Sequence, residues 1–202
     1  LSASHAFGAR EVEKTDSYIS VIDEYELEST NLSNYNILIV TDFVDQEYLY
    51  KHKAVIEDFL EAGKVVIFGG HLFREWLPGC PIFTPRTIES HEDYHVFKKI
   101  DHPIFKGVDT DDMTYNKGVA GFFARVTHSP VPNGAEVLLT FRDGMPITYI
   151  DRQSTKGTIL VHSGRDLFAH RMQNKSTDRI SIQLLQWIQY EYKALQKEVS
   201  SK

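Results

Sequence analysis

Two short, wholly apolar runs restrict this chain most: ILIV at 37–40 and VVIF at 65–68, separated by an amphipathic stretch. A strand with one wet face alternates apolar and polar residues, whereas an unbroken run suits a strand covered on both faces, as in parallel sheets. Between the runs, DQEYLYKHKAVIEDFLEAG (45–63) sets Tyr48, Leu49, Val55, Ile56, Phe59 and Leu60 at helical spacing, and Gly63 suits the left-handed residue that closes a helix. Strand, helix and strand within about thirty residues make a βαβ unit, whose crossover is expected to be right-handed.

Further along, GVAGFFARV, AEVLLTF, PITYIDR and GTILVHS read as strands, with NGA and RDGMP as turns between them. Before the βαβ unit, SYISVIDEYEL (17–27) alternates enough for a short strand. The chain closes with a long helix: Ile180, Leu184, Trp187, Ile188 and Leu195 form its apolar stripe, and Ser176 or Thr177 suits its N-cap. The last residues, 198–202, are expected to fray. With neither repeat nor linker, the pattern predicts one α/β domain over residues 1–202.

Composition narrows the function classes. A formal net charge of -6 disfavours broad binding to nucleic acid or an anionic membrane surface. No apolar stretch reaches the roughly 18 residues of a membrane span. A single cysteine rules out an internal disulfide and fits a reducing, cytoplasmic setting. The opening LSASHAFGAR lacks the basic and apolar regions of a signal peptide, and a trimmed N-terminus, with a first strand lying before Leu1, is expected.

Candidate chemistry gathers where predicted strands end. Ligands of open α/β sheets bind outside the carboxyl ends of the strands. Asp42 follows the first run, Gly70 and His71 follow the second, and His162 ends GTILVHS, so Asp42, His71 and His162 are candidates for acid–base work. Arg165, in SGRDLFAHR, adds a guanidinium suited to an anion, while Asp166 suits a cap. Tyr115 and Asn116 either line the same crevice or form an ordinary turn. HEDYH (91–95) fits the zinc-protease string, which works only if His91 and His95 share one face of a helix; Pro85 and the extended look of YHVFKKIDHP argue against that helix. No metal or cofactor is therefore assigned. Trp76 is expected to be partly exposed, and Phe122, Phe123 and Tyr149 to be core. Cys80, between Gly79 and Pro81, reads as an incidental buried thiol in a loop.

The order ILIVTD, FLEAGK, VVIFGGH, DHPIFKGV, GTILVHSGRDLF and LLQWI resembles the class I glutamine amidotransferase-like superfamily, specifically its non-classical, ThuA-like branch, over about residues 19–192. The resemblance implies a flavodoxin-like three-layer sandwich with a mainly parallel central sheet. In the catalytic branch a cysteine in Gly-x-Cys-x-Gly attacks the glutamine amide, at a glycine turn leading into a helix. Here KVVIFGGHLFREWLPGC puts Gly70 or His71 at that position, and VHSGRD keeps His162 but replaces the following proline and acid by Ser163 and Gly164. Without a thiolate no glutaminyl thioester forms. The resemblance thus implies a non-glutaminase domain that binds a small polar molecule or a protein partner through Asp42, Gly70, His71, His162 and Arg165. The alternatives are a hydrolase or isomerase in the same crevice, metal-assisted or not, and a homo-oligomerisation module without a ligand.

Overall fold

The computed structural model describes residues 1–2, 19–171 and 174–200. Six strands form one mixed sheet: β1 (Ile37–Val40), β2 (Val65–Gly69), β3 (Val96–Lys98), β4 (Glu136–Phe141), β5 (Pro146–Asp151) and β6 (Thr158–His162). Their order across the sheet is β1-β2-β6-β5-β4-β3. β1, β2 and β6 run parallel, and every later pairing is antiparallel. The expected mainly parallel sheet is therefore found in the first half only. AEVLLTF, PITYIDR and GTILVHS are joined by connections too short for crossover helices, so β4, β5 and β6 pair as a meander.

β2 explains why an unbroken apolar run was needed. All five of its residues are buried. Val66 and Phe68 face one core, with Leu38, Val40, Ile56 and Leu60; Val65 and Ile67 face the other, with Ile180, Leu184 and Trp187. Helices α1 (Gln46–Lys51) and α2 (Lys53–Glu61) cover the first face and α4 (Arg179–Ser200) the second, while a short α3 (Thr110–Thr114) lies near β3. The single helix expected over 45–63 breaks at His52, whose backbone leaves helical geometry. Asp45 caps α1 through the N–H groups of Glu47 and Tyr48, and Gly63 closes α2 at φ 72°.

Several local expectations are corrected. In 17–27, residues 17 and 18 lie outside the described residues, and Glu24–Glu26 forms a 3-10 turn capped by Asp23 rather than a strand. No helix follows Gly70: residues 71–80 run as bends and turns. GVAGFFARV is not one strand. Its Val119–Ala120 pairs with Tyr115–Asn116, and its Val126 starts a two-residue ladder with Thr84–Pro85. Lys117 and Gly118 both have positive φ, the signature of a tight hairpin turn, so Tyr115 and Asn116 are the first strand of a short hairpin. Trp76 is fully buried against Phe68, not a surface aromatic. Ser176 does not cap α4 directly but ties the helix entry to Asp112. Among the described residues no helix is long and apolar enough to cross a membrane.

One polar contact locks α4 to the sheet. The Glu191 carboxylate, almost wholly buried, accepts from Arg152 Nε (2.5 Å), Arg152 Nη2 (3.0 Å) and Thr158 Oγ1 (2.8 Å). Removing the carboxylate leaves the Thr158 hydroxyl unpaired, while Arg152 keeps access to water. Glu191→Ala is expected to lower unfolding free energy by about 2 kcal/mol, below the range for fully buried pairs. Urea titration checks this, and an unchanged midpoint would mean that this contact adds nothing net to stability.

Candidate functional site

At the carboxyl ends of β1, β2 and β6 the chain leaves the sheet in three loops. Thr41 and Asp42 follow β1, Gly70 and His71 follow β2, and Gly164 and Arg165 follow β6. These loops enclose one side of a cleft of about 580 Å³. Segment 121–125 closes the opposite side with Phe122 and Arg125. It is held there by a bridge between Ala124 and Gly164. The volume falls within the range of small-molecule sites.

Two glycines allow the loops to approach. A Cβ on Gly69 would lie 2.6 Å from Asp166 Cα, and one on Gly164 would lie 1.8 Å from the Phe123 carbonyl oxygen. Both obstacles are backbone or close to it, so larger residues would push the walls of the cleft apart. Gly70 donates its N–H to the His162 carbonyl (3.1 Å), which extends the β2–β6 pairing into the rim.

The buried amide of Gln46 fixes the His71 segment. Its Nε2 donates to the His71 carbonyl (2.7 Å), and its Oε1 accepts from Phe73 N (2.9 Å) and Trp76 Nε1 (3.3 Å). The His71 ring stands in the cleft wall, 5.5 Å from the Phe83 ring. Partial burial and then the nearby Arg125 charge push its pKa below the ordinary value, against the pull of Asp42. The imidazole is thus neutral at pH 7. Arg165 Nε stands 3.9 Å from an Asp42 carboxylate oxygen, and Arg125 Nε donates to the Gly121 carbonyl (2.6 Å). The cleft therefore combines a neutral imidazole, a carboxylate and two guanidinium groups among phenylalanine rings.

Asp42, Gly70, His71 and Arg165 are brought together as expected, but His162 is not. It is fully buried behind the cleft wall, and lines only a narrow void with Gly69 and Asp166. Its Nε2–H donates to the Phe123 carbonyl (3.1 Å), so Nδ1 is bare and accepts from the Thr148 hydroxyl (2.8 Å). Burial drives its pKa down to about 3. His162 is a neutral structural ring. His128, which the sequence reading passed over, behaves alike. Its Nε2 accepts from Leu72 N–H (3.1 Å), so the proton sits on Nδ1 and is donated to Ser163 Oγ (2.7 Å). A histidine that donates to a serine cannot take its proton, so this buried pair is not a nucleophile and base.

Cys80 is buried, its thiol pushed up to about 12 by desolvation, and its Sγ lies 3.7 Å from the Pro81 carbonyl oxygen. It is no thiolate. His91 belongs to a 3-10 turn, His91–Tyr94, with Ser90 and Asp93 forming a capping box. His95 follows in extended conformation and contacts the Tyr115 hydroxyl (2.7 Å). The two imidazoles therefore do not share a helix face, and the zinc-protease geometry is absent. Among the described residues no three His, Cys, Asp or Glu side chains are close enough to hold a metal ion. Asp166 is a cap, accepting from Phe168 N–H (2.7 Å). Phe123 and Tyr149 are core, but Phe122 is 40% exposed on the cleft rim. The sequence reading also missed Arg125 and Gln46; an arginine inside the otherwise apolar GVAGFFARV was the one available signal for the former.

No family profile matches this chain, and no curated protein is significantly similar to it in sequence. Among solved structures it is similar to the cytoplasmic protein STM3548 from Salmonella typhimurium. The TM-score is 0.55 at 10% identity, over 84% of this chain and 80% of that one. Such a likeness shows a shared fold.

The neutral imidazoles make stability pH-dependent. His128 and His162 both have pKa values near 3 when folded, against about 6.5 unfolded. The unfolded chain binds more protons between those values, so stability is full above pH 6.5 and is lost as pH falls toward 3. From pH 7 to pH 5 each ring is expected to cost about 2 kcal/mol. Asp166, whose carboxyl is raised by burial, offsets part of this at the acid end. Urea midpoints at the two pH values test the expectation, and equal midpoints would show that the rings are protonated in the folded state.

Proposed function

We propose that this chain is a non-glutaminase member of the class I glutamine amidotransferase-like superfamily, and that it binds a small polar ligand in the cleft. The observation that carries the reading is the convergence of Asp42, Gly70, His71 and Arg165, remote in sequence, on one concavity at the carboxyl ends of parallel strands. Open α/β sheets bind ligands at that edge. Helices against both sheet faces support the finer flavodoxin-like, three-layer description. On the resemblance, Gly70 or His71 takes the position of the catalytic branch's nucleophile, and the buried, protonated Cys80 offers no substitute. A cytoplasmic location suits a chain whose one cysteine is unpaired.

A second reading draws on His71. A neutral imidazole within the field of a carboxylate can act as a general base, so a hydrolase or isomerase that uses His71 and Asp42 on a polar metabolite is the enzymatic form of the same proposal. In it, turnover of the bound compound would fall with His71→Gln while affinity persisted.

The test is a thermal-shift screen of sugars, nucleotides, amino acids and organic acids. A ligand at about 100 times its Kd is expected to raise the midpoint by about 5–10 °C. The shift should shrink in the Asp42→Asn, Arg165→Ala double variant. A screen without a shift, together with a stable dimer or trimer by light scattering, would overturn ligand binding in favour of an oligomerisation module.

A further inference from the structure

The side chains lining the cleft define its ligand more narrowly than polarity alone. Among the described residues, the charged groups on its wall are Arg125, Arg165 and Asp42, two cations against one anion, in a chain whose formal net charge is -6. Arg165 Nε lies 3.9 Å from an Asp42 carboxylate oxygen, so these two charges face each other at the rim. Arg125 bonds only through Nε, to the Gly121 carbonyl, so among the described residues its two terminal nitrogens have no protein partner. This bond and the Phe122 ring, 5.7 Å from the guanidinium carbon, orient the group and leave the terminal fork that matches a carboxylate in bidentate fashion.

The rest of the wall is aromatic. Phe43, Phe73 and Phe122 line the cleft while 64%, 50% and 40% exposed, an uneconomical placement for large apolar rings unless something covers them. Phe43 also sits at φ 68°, a left-handed backbone that a bulky residue rarely adopts. Strained residues of this kind concentrate where a side chain must be presented rather than packed. Here the strained backbone follows Asp42 directly and keeps the ring at the mouth of the cleft instead of in the core beneath β1.

Resting on the ligand-binding reading above, we infer that the cleft takes a monoanionic organic acid with a flat apolar body, its carboxylate on Arg125 and its body between the phenylalanine rings. A carboxylate matches the fork of Arg125 with a single negative charge, whereas a phosphate monoester would bring a second one near Asp42. The volume of about 580 Å³ accommodates an aryl or branched acyl acid of drug-fragment size.

Isothermal titration with benzoate, benzamide and phenyl phosphate tests the inference. Benzoate is expected to bind at least about tenfold more tightly than the isosteric neutral amide, and more tightly than phenyl phosphate. Arg125→Gln should abolish the preference for benzoate over benzamide. Phe73→Ala should weaken both compounds equally. Both side chains are exposed, so the thermal midpoints of the variants should match wild type. Equal binding of benzoate and benzamide, unchanged benzoate affinity in Arg125→Gln, or tighter binding of the phosphate would each overturn the inference. If neutral polyols or amides bind while carboxylates do not, this inference falls and the ligand-binding reading stands. If no compound of any class binds, both fall.

Discussion

Everything at the cleft depends on β2 being buried on both faces between β1 and β6. Its alternating side chains enter two separate cores, one under α1 and α2 and one under α4. Parallel pairing on both sides then forces three strands to end at the same level, with Val40 beside Phe68 and His162 beside Gly69. Three loops must leave that edge together. The cleft is what remains when three chain exits diverge and glycines at 69 and 164 permit the backbones to stay close.

Behind the cleft the protein uses imidazoles as hydrogen-bond fillers. His128 and His162 each satisfy one backbone group and one hydroxyl, and each does so in a single neutral tautomer. Charging either ring would place a cation in a desolvated site, and in His128 it would also turn the accepting nitrogen into a donor facing the Leu72 N–H. The same rule separates them from His71, which stands at the surface of the cleft and has a guanidinium and a carboxylate for neighbours. Three histidines lie within one region, and only solvent access and partners decide which can meet a ligand.

Much of the architecture could be read locally. The runs ILIV and VVIF, the helical spacing between them and Gly63 predicted the βαβ unit, because burial on two faces leaves a recognisable pattern. The stripe of Ile180, Leu184, Trp187 and Ile188 likewise predicted α4. Failures fell where tertiary contacts override local preference. The resemblance implied a helix after the glycine turn, but Gln46, from another element, binds the backbone and Trp76 of this segment and holds it irregular. GFFARV looked like a strand, but its pairing partners are divided between Gly164 and Pro85, so the segment bends and turns Phe122 outward.

By itself the sequence determined which residues must be covered: alternation and unbroken apolar runs are imprinted by the local geometry of helix and strand. It also determined that no sulfur nucleophile stands after VVIFGG, a matter of identity alone. Only the tertiary structure decided which polar groups meet. Asp42, His71, Arg125 and Arg165 share a cleft, and His162 does not, because strand register sets how far each side chain lies from the sheet edge. Along the β2–β6 ladder His162 pairs with Gly69, two residues before His71, and that offset separates a buried ring from an accessible one.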